Sequence, residues 1–411
     1  MVTKGLRALF YVLLWTLAPL GASEPIAVYL TWIQNPTSTM MVQWQTSSGN
    51  GIPQLSYHIA GDPAWKTAQR GSQTIEETTV DVHRIHLEGL KEDSEYGFKI
   101  KGSTKEYRFR TMPKRLNRPV RIAIGGDAYY TRGTEVFQRM NRVIGFNKPD
   151  FVVIGGDLAY TKGSKHLFKG RNWEMTRWQA FLRELQKAFG KGGMLIPILP
   201  LVGNHNVSKQ KHKSVSPEIF YEMFTFPETK KAYWSLDFGD YLSLVMLDTG
   251  HTWSIEGEQT KWLEKILQER SSIPYVFAVY HVAAYPSYYS YDGELPKKIR
   301  ANWVPLFEKY GVPFAFEHHN HTYKRTHPLK EGKVDPSGVT YLGDGSWGVP
   351  PRQVKTPEQL WYLKKSAAVN SCYIVTLTEE KCLIEAKNNQ GKVIDQIERV
   401  GAASRAPVSS D

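Results

Sequence analysis

Five short apolar runs in the middle of the chain each end in a residue type that binds metal ions. They read IAIGGD, VVIGGDLAY, LPLVGNHN, VFAVYH and FAFEHHNH. An apolar run of about four to eight residues bounded by glycine or asparagine is typical of a buried strand. Because buried α/β strands present ligands at their carboxyl ends, residues that are distant in sequence can meet there. The pattern predicts a layered α/β domain with one polar site at its strand ends.

The polar residues at these strand ends form a mixed set of oxygen and nitrogen donors: Asp127, Asp157, Tyr160, Asn204, His281, His319 and His321. Such a mixture suits Fe, Zn or Mn better than Ca or Mg. Asp157 is the natural bridge, because a carboxylate has two oxygens, and two metals ~3.5–4 Å apart can clamp a phosphate. One polar residue after a strand is a common cap. Five strand ends of this kind are difficult to explain by packing, and they predict a two-metal hydrolytic site.

The overall composition is that of a globular protein with two or three domains. The chain has 411 residues, of which 41% are hydrophobic and 22% charged, and its formal net charge is +12. A basic balance can steer anions toward a site, and it also fits nucleic-acid or membrane affinity or a solvated basic surface. The sequence has no basic stripe interleaved with aromatic residues, so we expect no nucleic-acid partner.

The first residues have the pattern of a signal peptide over 1–23. Lys4 and Arg7 precede an apolar core at 8–20, and Gly21-Ala22-Ser23 forms a small-residue cleavage zone. This core is shorter than the about 20 residues of a transmembrane helix and contains Pro19, although an uncleaved anchor remains an alternative. No later segment is predicted to span a membrane. We expect a secreted or periplasmic protein.

Periodicity divides the rest of the chain into two domains and a tail. Residues 25–113 alternate apolar and polar positions in short runs, which predicts an antiparallel sandwich of about seven strands with Trp44 in its core. Strands alternate with helical stretches in an α/β domain over 119–400, which ends in a hairpin at 371–399. Cys372 and Cys382 lie in that hairpin at offset positions, which favours two free or buried thiols. Residues 401–411 are predicted to be a disordered tail.

Three segments resemble the motifs of a known enzyme family in order and spacing. Gly156-Asp157-Leu158-Ala159-Tyr160, Gly203-Asn204-His205 and His319-Asn320-His321 resemble the metallophosphoesterase (calcineurin-like) superfamily and, within it, the purple acid phosphatases. The resemblance covers roughly residues 25–400. It implies a metallophosphatase sandwich of two mixed sheets flanked by helices, preceded by an all-β fibronectin type III-like sandwich, the N-terminal domain of purple acid phosphatases.

The resemblance also implies an activity and its cofactors. The protein would be an acid phosphatase that hydrolyses phosphate monoesters through a metal-bound hydroxide at an Fe(III)–M(II) centre, where M is Fe, Zn or Mn. The Fe(III) ligands would be Asp127, Asp157, Tyr160 and His321, with the Tyr160 phenolate giving the family its colour. The divalent ion would be bound by Asp157, Asn204, His281 and His319. His205 would orient the phosphate or protonate the leaving alcohol.

Four departures from the family pattern concern the surroundings of the metals. Tyr129 stands where glycine is usual, Asn206 replaces an acidic residue, and His318 replaces a glycine. The loop after His281, AAYPSYYSYDG, has no histidine, whereas plant members have substrate-binding histidines there. Our candidate substrate contacts are Asn206, His318, His251 and Tyr291. Tyr288 and Tyr289 are alternatives to Tyr291, and so is a plain aromatic loop without a binding role.

Two other functions stay open. One is a phosphodiesterase or nucleotide-cleaving hydrolase on the same fold, and the other is a non-catalytic surface-binding protein with a degenerate phosphatase domain. The expected partner is a small phosphate ester. The sequence leaves the oligomeric state open.

Overall fold

A computed structural model describes residues 24–129, 134–162, 170–208, 218–227, 231–343 and 345–401. The predicted signal peptide lies outside the described residues, as do positions 402–411 of the predicted tail. Within the described part, no helix has the length and apolar character needed to cross a membrane.

The described part of the chain begins with a β-sandwich of two four-stranded antiparallel sheets. Its strands are β1 (Ala27–Thr31), β2 (Met40–Ser47), β3 (Gln54–Ile59), β4 (Lys66–Gln69), β5 (Ser72–Thr74), β6 (Val80–Leu87), β7 (Glu95–Ile100) and β8 (Glu106–Arg110). One sheet has the order β1-β2-β6-β5 and the other β4-β3-β7-β8. The pattern predicted about seven strands. β5 is only three residues long, and so short a strand gives little alternation to detect.

The sandwich core contains the aromatic residue that the sequence placed there. Trp44 is fully buried and stacks on His83, with ring centres 5.1 Å apart. At the corner before β7, the backbone N–H of Lys91 donates to the hydroxyl of Tyr96 at 2.7 Å. A corner tyrosine of this kind is a feature of immunoglobulin-like sandwiches.

The second domain is built from strands and helices that alternate until the last third of the chain. The strands are β9 (Val120–Gly125), β10 (Phe151–Ile154), β11 (Ile198–Pro200), β12 (Trp234–Phe238), β13 (Leu242–Leu247), β14 (Tyr275–Val282), β15 (Phe314–His318), β16 (Tyr323–Thr326), β17 (Leu329–Lys330), β18 (Lys333–Val334), β19 (Thr340–Gly343), β20 (Leu363–Ala367), β21 (Ser371–Leu377), β22 (Lys381–Asn388) and β23 (Val393–Val400). The helices are α1 (Thr134–Phe146), α2 (Arg171–Phe189), α3 (Ile219–Met223), α4 (Glu258–Glu269), α5 (Glu294–Asn302) and α6 (Val304–Lys309), with a 3₁₀ turn at Lys191–Gly193.

Thirteen of these strands form two mixed sheets that pack face to face, and β17 and β18 form a separate two-stranded sheet. The six-stranded sheet has the order β11-β10-β9-β21-β22-β23, and the seven-stranded sheet has the order β12-β13-β14-β15-β19-β16-β20. Phe316 and Tyr373 meet between the sheets with ring centres 5.7 Å apart. α1 packs on β21 of the first sheet and on α2, which also contacts β1 of the sandwich, and α4 to α6 join the apolar cluster on the second sheet. The predicted fold class is confirmed.

Direct hydrogen bonds join the two domains. The hydroxyl of Tyr29 donates to the carbonyl of Met223 at 2.6 Å, and the amide of Gln43 donates to the same carbonyl at 3.0 Å. The backbone N–H of Val28 donates to Gln186 on α2. The sandwich is thereby fixed to helices of the second domain.

The C-terminal hairpin has the geometry that the sequence suggested. β21 ends at Leu377 and β22 begins at Lys381, so Cys372 lies opposite Lys387 and not opposite Cys382. Both cysteines are buried, as expected, and they form no disulfide with each other.

Candidate metal centre

The strand order brings the predicted ligands to one edge of each sheet. β9, β10 and β11 run parallel and in register, with Val152 opposite both Ala123 and Ile198. The loops that carry Asp127, Asp157 and Asn204 therefore leave the sheet on the same side. In the other sheet, β14 and β15 are parallel neighbours, and they carry the three histidines at or just beyond their carboxyl ends.

A β-bulge directs His281 toward this site. The register between β14 and β15 shifts between Tyr280 and Val282, so His281 is the extra residue of β14. A bulge locally bends a strand and re-aims a side chain. The Nδ1 of His281 lies 2.9 Å from the carbonyl oxygen of Gly155 in the opposite sheet.

All seven predicted ligand side chains lie in one cluster. Asp127, Asp157, His281 and His319 each offer a ligand atom within 4.8 Å of the others. Tyr160, His321 and Asn204 each contact one of these four residues. The hydroxyl of Tyr160 lies 2.9 Å from Oδ1 of Asp127, Nε2 of His321 lies 3.0 Å from the same oxygen, and Oδ1 of Asn204 lies 3.2 Å from Nε2 of His281.

The backbone of the cluster is strained. Five ligand positions adopt positive φ angles: Asp127 (56°), Asp157 (50°), Tyr160 (50°), His319 (67°) and His321 (55°). Residues other than glycine rarely adopt this conformation, and it costs on the order of 1–3 kcal/mol at each position. Such strain persists where the surrounding structure holds it, and it concentrates at functional sites.

The electrostatics of the cluster favour a bound cation. Burial alone would raise the pKa of the Asp127 and Asp157 carboxyl groups, but neighbouring histidines hold both below their usual range. Burial alone would lower the pKa of His281, yet the two carboxylates raise it to about 9, so a positive charge is favoured between them. Burial lowers the pKa of His319 to about 3 and keeps its imidazole neutral.

Two buried atoms of the cluster make no hydrogen bond to any described residue. They are Nδ1 of His319 and Oδ2 of Asp157, and Oδ2 has an ion-pair contact with Nε2 of His281 at 3.3 Å. A buried acceptor without a hydrogen bond is costly, and both atoms are types that ligate metals. Oδ1 of Asp157 accepts the backbone N–H of His205 at 2.7 Å. The donor set therefore fits a metal ion.

Two family models match consecutive parts of the chain and together cover more than half of it. The model for the purple acid phosphatase N-terminal domain matches residues 25–111, and the calcineurin-like phosphoesterase model matches residues 120–323. The chain belongs to the purple acid phosphatase family.

Its relatives include purple acid phosphatases of Arabidopsis thaliana. Purple acid phosphatase 15 is 27% identical over 295 residues, which cover 64% of this chain and 53% of that protein. Purple acid phosphatase 23 is 25% identical over 371 residues, which cover 78% of this chain and 79% of that protein. The chain thus spans about half the length of the first relative.

A solved structure has the same fold. The purple acid phosphatase PPD1 from yellow lupin (Lupinus luteus) seeds superposes with a TM-score of 0.75 at 18% identity, covering 90% of this chain and 73% of that one.

A main-chain carbonyl orients His205. Nδ1 of His205 lies 2.6 Å from the carbonyl oxygen of Lys162. A carbonyl only accepts, so Nδ1 holds the proton and Nε2 remains for other chemistry. Asn206, which replaces the family's acidic residue, accepts the backbone N–H of Gly203 instead. The Lys162 carbonyl, and not the side chain at position 206, therefore fixes the orientation of His205.

Asn206 and His318 are both buried, and their positions favour a supporting role. Asn206 is 1% exposed. The ring of His318 fills the space above Gly155, where a Cβ would come within 1.8 Å of Nε2, and it also packs on Gly126. Two glycines thus accommodate the histidine that replaces the usual glycine. Direct substrate contact by Asn206 and His318 stays a prediction.

Asp248 holds the backbone of the loop that carries His251. Asp248 is structural, since its carboxylate accepts the backbone N–H groups of His251, Thr252 and Trp253. The ring of His251 lies 5.5 Å from that of His281, and its Nε2 lies 3.0 Å from Oγ1 of Thr249. His251 therefore borders the centre.

The tyrosine loop contacts the ligands through Tyr289 and not through Tyr291. The ring of Tyr289 stacks on His319 with centres 4.8 Å apart and planes 17° apart. Tyr291 packs on Tyr362 instead, and the guanidinium of Arg300 lies 3.6 Å above its ring. Tyr291 thus belongs to the aromatic packing behind the loop.

Sequence reasoning missed Arg352 at the rim of the centre. Nη1 of Arg352 donates to the hydroxyl of Tyr289 at 2.6 Å and to the carbonyl of His319 at 3.1 Å. Its backbone N–H donates to the carbonyl of His321. Arg352 is one of 52 lysines and arginines and has no motif around it, so the sequence carried no local signal.

Proposed function

We propose that this protein is an exported phosphatase that hydrolyses small phosphate monoesters at a dinuclear metal centre. Family membership supports the phosphatase activity, and the cluster of seven ligand side chains supports the metal centre. The pattern of residues 1–23 supports export. The proposal assigns the activity in the names of the plant relatives to a chain that covers 53% of the first of them.

The proposed metal pair is Fe(III) with divalent Fe, Zn or Mn. Fe(III) would be held by Asp127, Asp157, Tyr160 and His321, and the divalent ion by Asp157, Asn204, His281 and His319. Asp157 can serve both ions because its two oxygens are separate ligand atoms. When bound, such a pair lowers the pKa of water and offsets the negative charge of the phosphoryl oxygens.

The chain's own residues bind the ester and move the proton. His205 is placed beside the cluster with Nδ1 protonated, so Nε2, when it carries a proton, can pass it to the leaving alkoxide. The guanidinium of Arg352 supplies a fixed positive charge at the rim, where it can pair with phosphate oxygens. Asn320 holds the tyrosine loop in place, because its Oδ1 accepts the backbone N–H of Tyr288 at 3.2 Å.

The observation that carries this proposal is the convergence of Asp127, Asp157, His281 and His319 within 4.8 Å, with Oδ2 of Asp157 and Nδ1 of His319 buried and without a hydrogen bond to any described residue. A degenerate, non-catalytic domain would not need buried ligand atoms that lack hydrogen bonds. The test is steady-state hydrolysis of p-nitrophenyl phosphate and bis(p-nitrophenyl) phosphate by purified protein of measured metal content. We expect faster turnover of the monoester, and we expect Asp157→Asn to abolish turnover.

The rival functions predict different results in the same experiment. Faster turnover of the diester would identify a phosphodiesterase on this fold. Purified protein without iron, zinc or manganese, and without activity after these metals are added, would support the non-catalytic binding protein. Export is tested separately by the N-terminal sequence of the protein recovered from the producing cells' medium or periplasm, which should begin near residue 24.

A further inference from the structure

One apolar side chain projects from the surface far more than any other in the described part of the chain. Phe146 is the last residue of α1 and is 87% exposed. The next most exposed large apolar residues of that part are Val400 at 65% and Val334 at 52%. A phenyl ring held in water without a partner is unfavourable, and such residues mark binding surfaces when other features agree.

Basic residues surround Phe146 on two sides. Two surface grooves, of 380 and 880 Å³, share Phe146 and Arg142 in their walls. The basic residues that line these grooves are Arg139, Arg142, Lys148, Lys187, Lys191 and Lys387. We call these six residues and Phe146 the Phe146 patch.

Three of these six positive charges have no acidic partner among the described residues. Arg142, Lys148 and Lys191 make no ion pair with any described residue. Glu184 is the acidic residue in the groove walls, and it is already bonded to Lys187 and Gln138. Arg139 and Lys387 have weaker ion pairs with Glu135 and Glu385, at 3.5 and 3.6 Å.

The patch and the metal centre lie at opposite ends of α1. The helix begins at Thr134, shortly after Asp127 at the carboxyl end of β9, and its 13 residues extend about 20 Å. Beyond Phe146, the backbone N–H of Asp150 donates to the carbonyl of Arg121 near the amino end of β9. A partner bound at the patch would therefore leave the metal centre accessible.

We propose that the Phe146 patch docks on the surface of an anionic lipid bilayer. The six basic residues would lie among the acidic headgroups while the phenyl ring enters the boundary with the acyl chains. The arrangement fits a bilayer better than a nucleic acid. A platform for single strands uses several aromatic rings along a basic groove, whereas Phe146 is the one aromatic residue in these groove walls and the basic residues surround it.

The test is cosedimentation of the full chain with lipid vesicles. Phosphatidylcholine vesicles with phosphatidylglycerol should bind the protein, and pure phosphatidylcholine vesicles should not. Neutral vesicles also report any insertion by the apolar residues 8–20, which does not depend on lipid charge. We expect Phe146→Ser and Arg142→Glu each to weaken binding to anionic vesicles about tenfold, and added salt to weaken it further.

Lys261→Glu is the matched control, because Lys261 is an exposed lysine on α4 beside the other sheet. It makes the same charge change and should reduce binding far less than Arg142→Glu. All three variants should keep the wild-type rate on a soluble substrate, which shows that they fold. If Arg142→Glu and Lys261→Glu lose binding to anionic vesicles equally, the binding depends only on net charge and the proposal is overturned. Equal binding to neutral vesicles, or binding to an oligonucleotide without binding to vesicles, would also overturn it.

Discussion

The imidazole of His205 stacks on the phenol of Tyr160, with ring centres 4.6 Å apart and planes 27° apart. The proposed proton donor therefore rests on the residue proposed to bind Fe(III). The two contacts of Tyr160 are separate, because its ring face supports His205 while its hydroxyl points to Asp127 and His321. Mutation can remove one contact without the other.

Tyr160→Phe should remove the colour of the iron-loaded protein and keep His205 in place. The phenolate is the proposed source of the charge-transfer band, and phenylalanine retains the stacking ring without the hydroxyl. A visible spectrum together with the iron content of each preparation checks this. Tyr129→Phe is the control, since Tyr129 is a buried tyrosine next to the centre whose hydroxyl is not a proposed ligand. Full colour in Tyr160→Phe would exclude Tyr160 as the chromophore.

His205→Ala should slow the hydrolysis of alkyl phosphates more than that of p-nitrophenyl phosphate. Loss of a general acid costs about 10²- to 10⁴-fold when the leaving group needs a proton. Nitrophenolate is stable as an anion and leaves without needing a proton. The loss of kcat for p-nitrophenyl phosphate should therefore be much smaller. The measurement is kcat for both esters at equal metal content. Equal losses would instead assign His205 to orienting the phosphate.

Arg352→Ala should raise KM for the monoester about tenfold, because one charge-assisted contact to phosphate is worth about 1.5 kcal/mol. Tyr289→Phe keeps the ring on His319 and removes the hydroxyl that Arg352 binds, so it should have a smaller effect in the same direction. Tyr288→Phe is the control and should be neutral. A loss confined to kcat in Arg352→Ala would argue against a role in substrate binding.

Local sequence was sufficient to predict that the proposed ligand side chains cluster. Each ligand follows an apolar run that is a strand because of its own composition, and parallel strands necessarily send their loops to one edge. Asp127, Asp157 and Asn204 could thus be assigned together before any tertiary contact was known.

The rim could not be predicted in this way, because long-range contacts determine it. Tyr288, Tyr289 and Tyr291 are chemically equivalent in the sequence. Asn320 fixes the loop by accepting the backbone N–H of Tyr288, and this contact determines which tyrosine lies against the centre. The carbonyl that orients His205 belongs to a residue whose side chain gave no signal, Lys162. A main-chain carbonyl can orient a histidine whatever side chain its residue carries, so the residue type does not reveal it.

Glu317→Gln should destabilise the fold by about 3–5 kcal/mol, because it leaves Lys324 with an uncompensated buried charge. Both side chains are fully buried, and Nζ of Lys324 contacts Oε2 of Glu317 and also donates to the carbonyl of Tyr285 at 2.6 Å. Oε1 of Glu317 accepts the hydroxyl of Tyr280. Urea unfolding gives the free energy of unfolding directly.

The double variant Glu317→Gln/Lys324→Met is the control for this pair. It removes both charges, so it should recover much of the stability that the single variant loses. If the double variant loses as much stability as Glu317→Gln and Lys324→Met lose in sum, the two charges do not interact.

Asp395→Asn should destabilise the protein at neutral pH and have little effect in acid. Asp395 on β23 binds Nε and Nη2 of Arg325 on β16 at 2.5 and 3.0 Å, and it thereby ties one sheet to the other. Burial alone would raise the pKa of this carboxyl group, but hydrogen bonds from Arg325 and Tyr323 lower it below its usual range.

The sign of the pH dependence follows from this depressed pKa. A carboxyl group with a lowered pKa in the folded state stabilises that state above the unfolded pKa of about 3.9, and this stabilisation is lost as the pH falls through the folded value. The free energies of unfolding of wild type and Asp395→Asn should therefore differ at pH 7, by about 1–3 kcal/mol, and converge as the pH falls through the lowered pKa of Asp395. Urea unfolding of both proteins across this range checks the expectation. A difference that persists unchanged at low pH would mean that Asp395 acts through packing and not through its charge.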